Sequence, residues 1–195
     1  MLQDVSIGKN VTSLGRYAFY KCDSLASITI PAGVKSISDS AFYLCYFLAS
    51  ITIPTGVTSI GNAAFYDCHS LASITIPAGV KSIGVSIFNS CYSLASITIP
   101  TGVTSIGNFA FNNCDSLASI TIPAGVKSIG VSVFNSCYGM RYYDFSAYTA
   151  IPSLSNTNAF QNIPSDCQML IPSALYNNWK SATNWATYAS KMVSV

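Results

Sequence analysis

Residues 24–45 read SLASITIPAGVKSISDSAFYLC, and this stretch decides the fold because it returns along the chain with a period of 23 residues. Cysteines stand at 22, 45, 68, 91, 114 and 137, and the phrase SLASITIP restarts at Ser24, Ser70, Ser93 and Ser116, with the variant FLASITIP at Phe47. A fixed period of this length marks a solenoid, in which each coil cannot bury its apolar face alone and neighbours must stack to do so.

Within one unit the inward positions are Leu25, Ile28, Ile30, Val34, Ile37, Ala41, Phe42 and Cys45. Ile28 and Ile30 flank Thr29, the alternation of a short strand with one buried face. Pro31 and Gly33 end that strand, since proline lacks a backbone donor and glycine tolerates positive φ. Val34 to Ile37 forms a second extended wall. The few residues that follow, ending in Ala41-Phe42, are too short for an α-helix and predict a single tight turn of 3-10 type. A longer period is superimposed: IPAGVKSI starts at 30, 76 and 122 and IPTGVTSI at 53 and 99, which places Lys35, Lys81 and Lys127 on alternate rungs.

The array covers residues 1–145. Its first rung starts at Leu2, Val5 and Ile7, so the chain opens on a core position. An uncapped solenoid end is an open sheet edge, and the expectation is that Met1 opens a fragment or that another domain or subunit packs on that rung. Met140, Tyr143 and Phe145 continue the core phase. Residues 146–172 form an irregular last rung with a final strand at Met169 and Ile171. Residues 173–195 form a helical cap: Ser173 is the N-cap, Leu175, Trp179, Ala182, Trp185, Ala189 and Met192 recur at spacings of three and four, and Asn184 begins a second segment. Trp179 and Trp185 are read as the core of this lid, with a carbohydrate-stacking platform as the alternative.

The pattern Leu25-x-x-Ile28-x-Ile30 resembles the leucine-rich-repeat core. With Pro31, Val34, Ile37, Phe42 and Cys45 the unit resembles the BspA-like family, over about residues 2–145. The resemblance implies a curved parallel-sheet solenoid of a bacterial surface protein, extracellular or on the cell surface, used in adhesion and in host or matrix binding.

Only 8% of residues are charged and the net charge is +2. That is too little, and the lysines too dispersed, for a nucleic-acid footprint or a polybasic membrane contact. The strand-like segments alternate with Ser and Thr, so no stretch is apolar for long enough to insert in a bilayer. The opening MLQDVSIGKN has neither a basic leader nor an apolar run, and no secretory signal is expected.

Residues that invite chemistry have plainer explanations. His69 occupies a slot held by Asp23, Tyr46, Tyr92 and Asp115 in other rungs, and with no second histidine it builds neither a metal site nor a nucleophile–base pair. One cysteine per rung makes a line and not a tetrahedron, so a buried thiol ladder is expected in place of zinc or disulfides, with Cys167 out of phase. The glycines at 33, 56, 79, 102 and 125 recur as turn residues and form no phosphate loop. No catalytic residue, metal or cofactor is expected. What remains is surface. Thr29, Thr52, Thr75, Thr98 and Thr121, with the serines two residues before each, line the open face of the sheet, and Tyr142 and Asp144 replace them on the last regular rung. These are the candidate ligand-binding residues. An alternative face carries Tyr43, Tyr46, Tyr66, Tyr92 and Tyr138. The sequence therefore predicts a non-catalytic adhesion or protein-binding module for a protein or glycan ligand. The alternative is a structural or receptor-binding subunit of a larger assembly, such as a phage tail or appendage.

Overall fold

In the computed structural model, which describes residues 5–195, each Ser-Ile-Thr triplet forms a strand with its isoleucine inward and its hydroxyls outward. These strands are Ser27–Thr29, Ser50–Thr52, Ser73–Thr75, Ser96–Thr98, Ser119–Thr121 and Tyr142–Asp144, followed by Gln168–Ile171 and Met192–Ser194. Pairing is parallel and without stagger: Ile28 lies beside Ile51, Ile120 beside Tyr143, and Tyr143 beside Met169. The predicted second wall is a series of two-residue strands from Ser13–Leu14 to Ser153–Leu154, again parallel. Leu2 lies outside the described residues. Val5 and Ile7 are partly buried against the core without forming a strand.

The third side of each coil differs from the single turn that the sequence predicts. Ala41, Tyr43 and Cys45 donate their amides three residues back, to Ser38, Ser40 and Phe42, whereas Ser40, Phe42 and Leu44 donate theirs forward to Asn62, Ala64 and Tyr66 of the next rung. Alternate amides thus close turns within a rung and tie rungs together. The re-aiming requires left-handed backbone at Ser40 (φ 54°) and Leu44 (φ 62°), and the same two phases are left-handed in every 23-residue rung from Tyr17 to Ser136, while the irregular rung keeps one of them, at Asn162. None of these is glycine. Such backbone costs about 1–2 kcal/mol per residue, and the paired amides on both sides hold it in place.

The glycines serve a different purpose from the one their turn position suggests, since no glycine among the described residues has positive φ. A Cβ on Gly33 would lie 3.2 Å from the Val11 carbonyl oxygen, and one on Gly125 2.9 Å from that of Thr101. Close approach of rungs is what excludes a side chain there. The alternation of lysine and threonine has a related cause. The Lys35 ammonium lies 2.9 Å from where a Gly56 Cβ would be, and Lys81 repeats this at 3.0 Å over Gly102. Each lysine thus reaches over the following rung, and a lysine on every rung would set like charges about 4.8 Å apart.

Phenylalanines fill the interior as one column. Phe19, Phe42, Phe65, Phe88, Phe111, Phe134 and Phe160 stack with centroid separations of 5.0–5.6 Å and near-parallel rings. The column survives the irregular rung, where the step from Phe134 to Phe160 takes 26 residues in place of 23.

The cap is helical only in part. A 3-10 turn Ser173–Leu175 leads into the helix Tyr176–Ser181, and a second 3-10 segment spans Trp185–Lys191. Pro172 holds the N-cap position and Ser173 makes no capping bond. Asn184 does precede the second segment, in left-handed backbone, and donates its side-chain amide to the Leu154 carbonyl at 2.7 Å. Met192, which helical spacing places on the lid, instead begins a strand beside Met169. The step from 169 to 192 is again 23, so the repeat resumes after the helical insertion.

Two measurements check this account. Phe88→Ala removes a ring stacked on both sides and is expected to lower stability by about 3–5 kcal/mol in urea unfolding. Ala63→Gly relieves left-handed strain at the loss of one methyl group and is expected to raise stability by about 0.5–1 kcal/mol, whereas Gly61→Ala, whose Cβ would clash with the Asp39 backbone amide, lowers it.

Candidate functional site

The outward residues of the strands form a continuous hydroxyl face. Thr29, Thr52, Thr75, Thr98 and Thr121 are exposed, and their serine partners at 27, 50, 73 and 96 likewise. Register places Tyr142 beside Ser119 and Asp144 beside Thr121, so the two replacements adjoin the end of the threonine row. Tyr142 is 41% exposed. Asp144 is held by its own turn, one oxygen accepting from the Ser146 amide at 2.9 Å while the other lies 3.5 Å from the Thr121 hydroxyl.

Beside this pair the face is concave. A cleft of about 620 Å³ is lined by Ser96, Thr98, Ser119 and Thr121 on one side and by Thr101, Ala124 and Ala147 on the other. Those last three residues are in one phase of the repeat, so the wall is a column of turn residues. The sequence reading missed this wall. The 23-residue phase alone would have found its column, but not that it rises beside the hydroxyl face.

The tyrosines of the alternative face do not come together as one surface. Tyr43 stacks on Tyr66 at 4.6 Å and on Tyr20 at 5.9 Å, a member the sequence reading omitted. Tyr46 and Tyr92 pack instead on the two sides of His69, each at 4.7 Å. Tyr138 is 60% exposed and belongs to neither stack. His69 is half-buried between its tyrosines, with its Nε2 3.6 Å from the Asp67 carboxylate. In the first column the tyrosines give way to Asn89, Asn112 and Asn135, whose amides reach along the axis: Asn112 donates to Asn89 at 3.4 Å and Asn162 to Asn135 at 3.2 Å.

Trp179 and Trp185 are fully buried, so the stacking-platform alternative is overturned. They pack edge to face on each other at 5.3 Å and against Phe145, and the Trp185 indole donates to the Pro152 carbonyl at 2.8 Å. Tyr188 and Lys191 add further bonds to the irregular rung, through the carbonyls of Thr157 and Pro164.

The model of the BspA type leucine-rich repeat region matches six copies, over residues 1–100 and 35–165. The chain belongs to the BspA-type leucine-rich repeat family. Among solved structures it resembles a T. pallidum leucine-rich repeat protein, with TM-score 0.70 and 32% identity over 80% of this chain and 72% of that one. It also resembles a leucine-rich cell surface protein of Faecalibacterium prausnitzii, with TM-score 0.69 and 30% identity, covering 85% of this chain and 54% of that protein, about half its length. No curated protein matches the chain. The family consists of leucine-rich repeat proteins of the bacterial surface type, and its solenoid is characteristically a binding scaffold. Among the described residues no helix is long and apolar enough to cross a membrane.

In this BspA-type array the in-phase cysteines from 45 to 137 are buried free thiols, and each donates to the carbonyl of the phenylalanine one rung back: Cys45 to Phe19 at 2.9 Å, Cys68 to Phe42 at 3.3 Å, Cys91 to Phe65 at 3.2 Å. Cys167, outside the phase, is also buried and free. Burial pushes the thiols up from an ordinary value near 9, to about 12 at Cys45 and Cys137 and about 11 at Cys167. The unfolded chain therefore releases these protons near pH 9 while the fold retains them. Stability is fully present below pH 9 and is lost as pH rises toward 12, by up to about 1.4 kcal/mol per pH unit for each thiol. Urea midpoints at pH 8 and pH 10.5 are expected to show the decline, and Cys91→Ala to reduce its slope. A thiol reagent at pH 8 is expected to leave the buried ladder untouched until the protein is unfolded.

Proposed function

We propose that this chain is a non-catalytic recognition module of a bacterial surface protein, holding a protein or glycan partner on its hydroxyl face. The observation that carries this reading is the change in that face at Tyr142 and Asp144, next to the cleft. Elsewhere the strip is uniform and offers small hydroxyls only. At this end it gains a half-exposed aromatic ring and a carboxylate fixed by its turn, the kind of rigid anchor that concentrates binding energy. Adhesion and an extracellular position follow the same reading, supported by the cell-surface description of the F. prausnitzii protein. In this arrangement residues 1–145 carry most of the face, 146–172 extend the sheet beside Tyr142 and Asp144 with Gln168 and Leu170 in register, and 173–195 close the core. The tyrosine columns are the weaker candidate, since Tyr43, Tyr46 and Tyr66 are half-buried against neighbouring side chains, and Tyr92, although 40% exposed, packs one ring face on His69.

The test is a binding screen of the full chain against matrix proteins and glycans, with Tyr142→Ala and Tyr43→Ala compared by circular dichroism and affinity. Both variants are expected to remain folded. Tyr142→Ala is expected to weaken the bound partner by about 2 kcal/mol or more, roughly 30-fold, and Tyr43→Ala to leave it unchanged. Undiminished binding by Tyr142→Ala, or no partner in the screen, would overturn the reading.

A further inference from the structure

The strand ladder of the hydroxyl face is not continuous. It breaks twice, between Ser50–Thr52 and Ser73–Thr75 and between Ser96–Thr98 and Ser119–Thr121. Flanking bonds carry the stack from rung to rung elsewhere, from the Ala95 amide to Ala72 at 3.0 Å, from the Arg141 amide to Ala118 at 2.8 Å and, across the first break, from the Ala72 amide to Ala49 at 3.4 Å, but at the second break none joins Ala118 to Ala95. At this split Ile97 is only partly buried, unlike Ile74 and Ile120 on either side. The cleft of about 620 Å³ lies across the split, with Ser96 and Thr98 on one strand and Ser119 and Thr121 on the other.

Three features bear on what would fit there. Five hydroxyl side chains, Thr101 included, line the cleft, and each both donates and accepts. The remaining lining, from Ile97, Pro123, Ala124 and Ala147, is apolar. No charged residue lines it, and Asp144 lies in register beside Thr121. A ligand that matches all three has many groups that donate and accept, one C–H-rich face and no net charge.

We infer that the cleft across the Ser96–Thr98 and Ser119–Thr121 split binds a neutral saccharide, its hydroxyls on the Ser/Thr rows and its C–H face on Ile97, Ala124 and Ala147. Tyr142 and Asp144 stand at the rim, where a second sugar ring meets an aromatic face and a hydroxyl acceptor. The inference rests on the proposed role of the hydroxyl face as the contact surface and names the ligand class for one part of it. A uronic or sulfated sugar binds less well here, because no cation lines the cleft to offset desolvation of its charge.

The experiment is a titration of the full isotope-labelled chain, followed by amide chemical shifts. The probes are the methyl glycosides of glucose, galactose, mannose and N-acetylglucosamine, their β-1,4-linked disaccharides, and a methyl glucuronide. At least one neutral probe is expected to move the amides of Ser96–Thr101, Ser119–Gly125 and Ala147, with a smaller response to the glucuronide. Ala124 is exposed, so Ala124→Leu fills the cleft without entering the core and is expected to abolish those shifts. The double variant Thr98→Val with Thr121→Val is expected to weaken binding about tenfold. The proposal is overturned if no neutral probe moves these amides, if the shifts map elsewhere, or if Ala124→Leu binds as well as the parent chain. Tyr142-dependent capture of a matrix protein in the absence of saccharide shifts would overturn it while leaving the proposed function standing.

Discussion

Stacking without stagger is the constraint on which everything else in this molecule depends. Each rung offers alternate backbone amides to the next, as Ser40, Phe42 and Leu44 do to Asn62, Ala64 and Tyr66. Because the partner groups must recur at the same height in every coil, the coil cannot change length freely. The left-handed backbone at Ser40 and Leu44, the bare backbone at Gly33 and Gly125, and the forward reach of Lys35 over Gly56 are all consequences of two coils meeting about 4.8 Å apart. The thiols fit the same rule. A cysteine is small enough for the column behind the phenylalanines and can still donate to a carbonyl of the preceding rung.

The period made the strands, the apolar core and the thiol ladder readable before any coordinates, since each depends only on residue type at a fixed phase. The left-handed positions were not readable. Sequence signals such backbone through glycine or asparagine, and here only Asn113 and Asn162 carry that signal while the other rungs place tyrosine, lysine, serine, leucine, alanine, aspartate or phenylalanine at these phases, because cross-rung hydrogen bonds, not local preference, decide the conformation. Met192 could have been placed by adding 23 to Met169, but six apolar residues at helical spacing masked the phase.

Of the candidate site, the threonine row and its replacement by Tyr142 and Asp144 could be read directly from strand alternation. The cleft could not. The strand phrase SLASITIP is the same at 93–100 and 116–123, yet the ladder is split between them, as it is between Ser50–Thr52 and Ser73–Thr75, and joined between Ser73–Thr75 and Ser96–Thr98. Both splits follow a strand whose turn reads PTGVTSI, so they keep step with the two-rung block and not with the single rung.

The near-identity of the two-rung blocks bears on how the chain finds its fold. A strand such as Ser73–Thr75 meets an equally good neighbour one block away, because the inward isoleucines, the phenylalanines and the cysteines are the same there. Out-of-frame pairings within the array are therefore close in energy to the native one, which is the condition for a frustrated search. The frame is set where the repetition fails. Only one rung is 26 residues long, and only that rung presents the carbonyls of Leu154 and Pro152 to Asn184 and Trp185. The irregular segment thus acts as a reference mark for the whole stack, and slipped forms that lack its latch lose contacts that tell one frame from another.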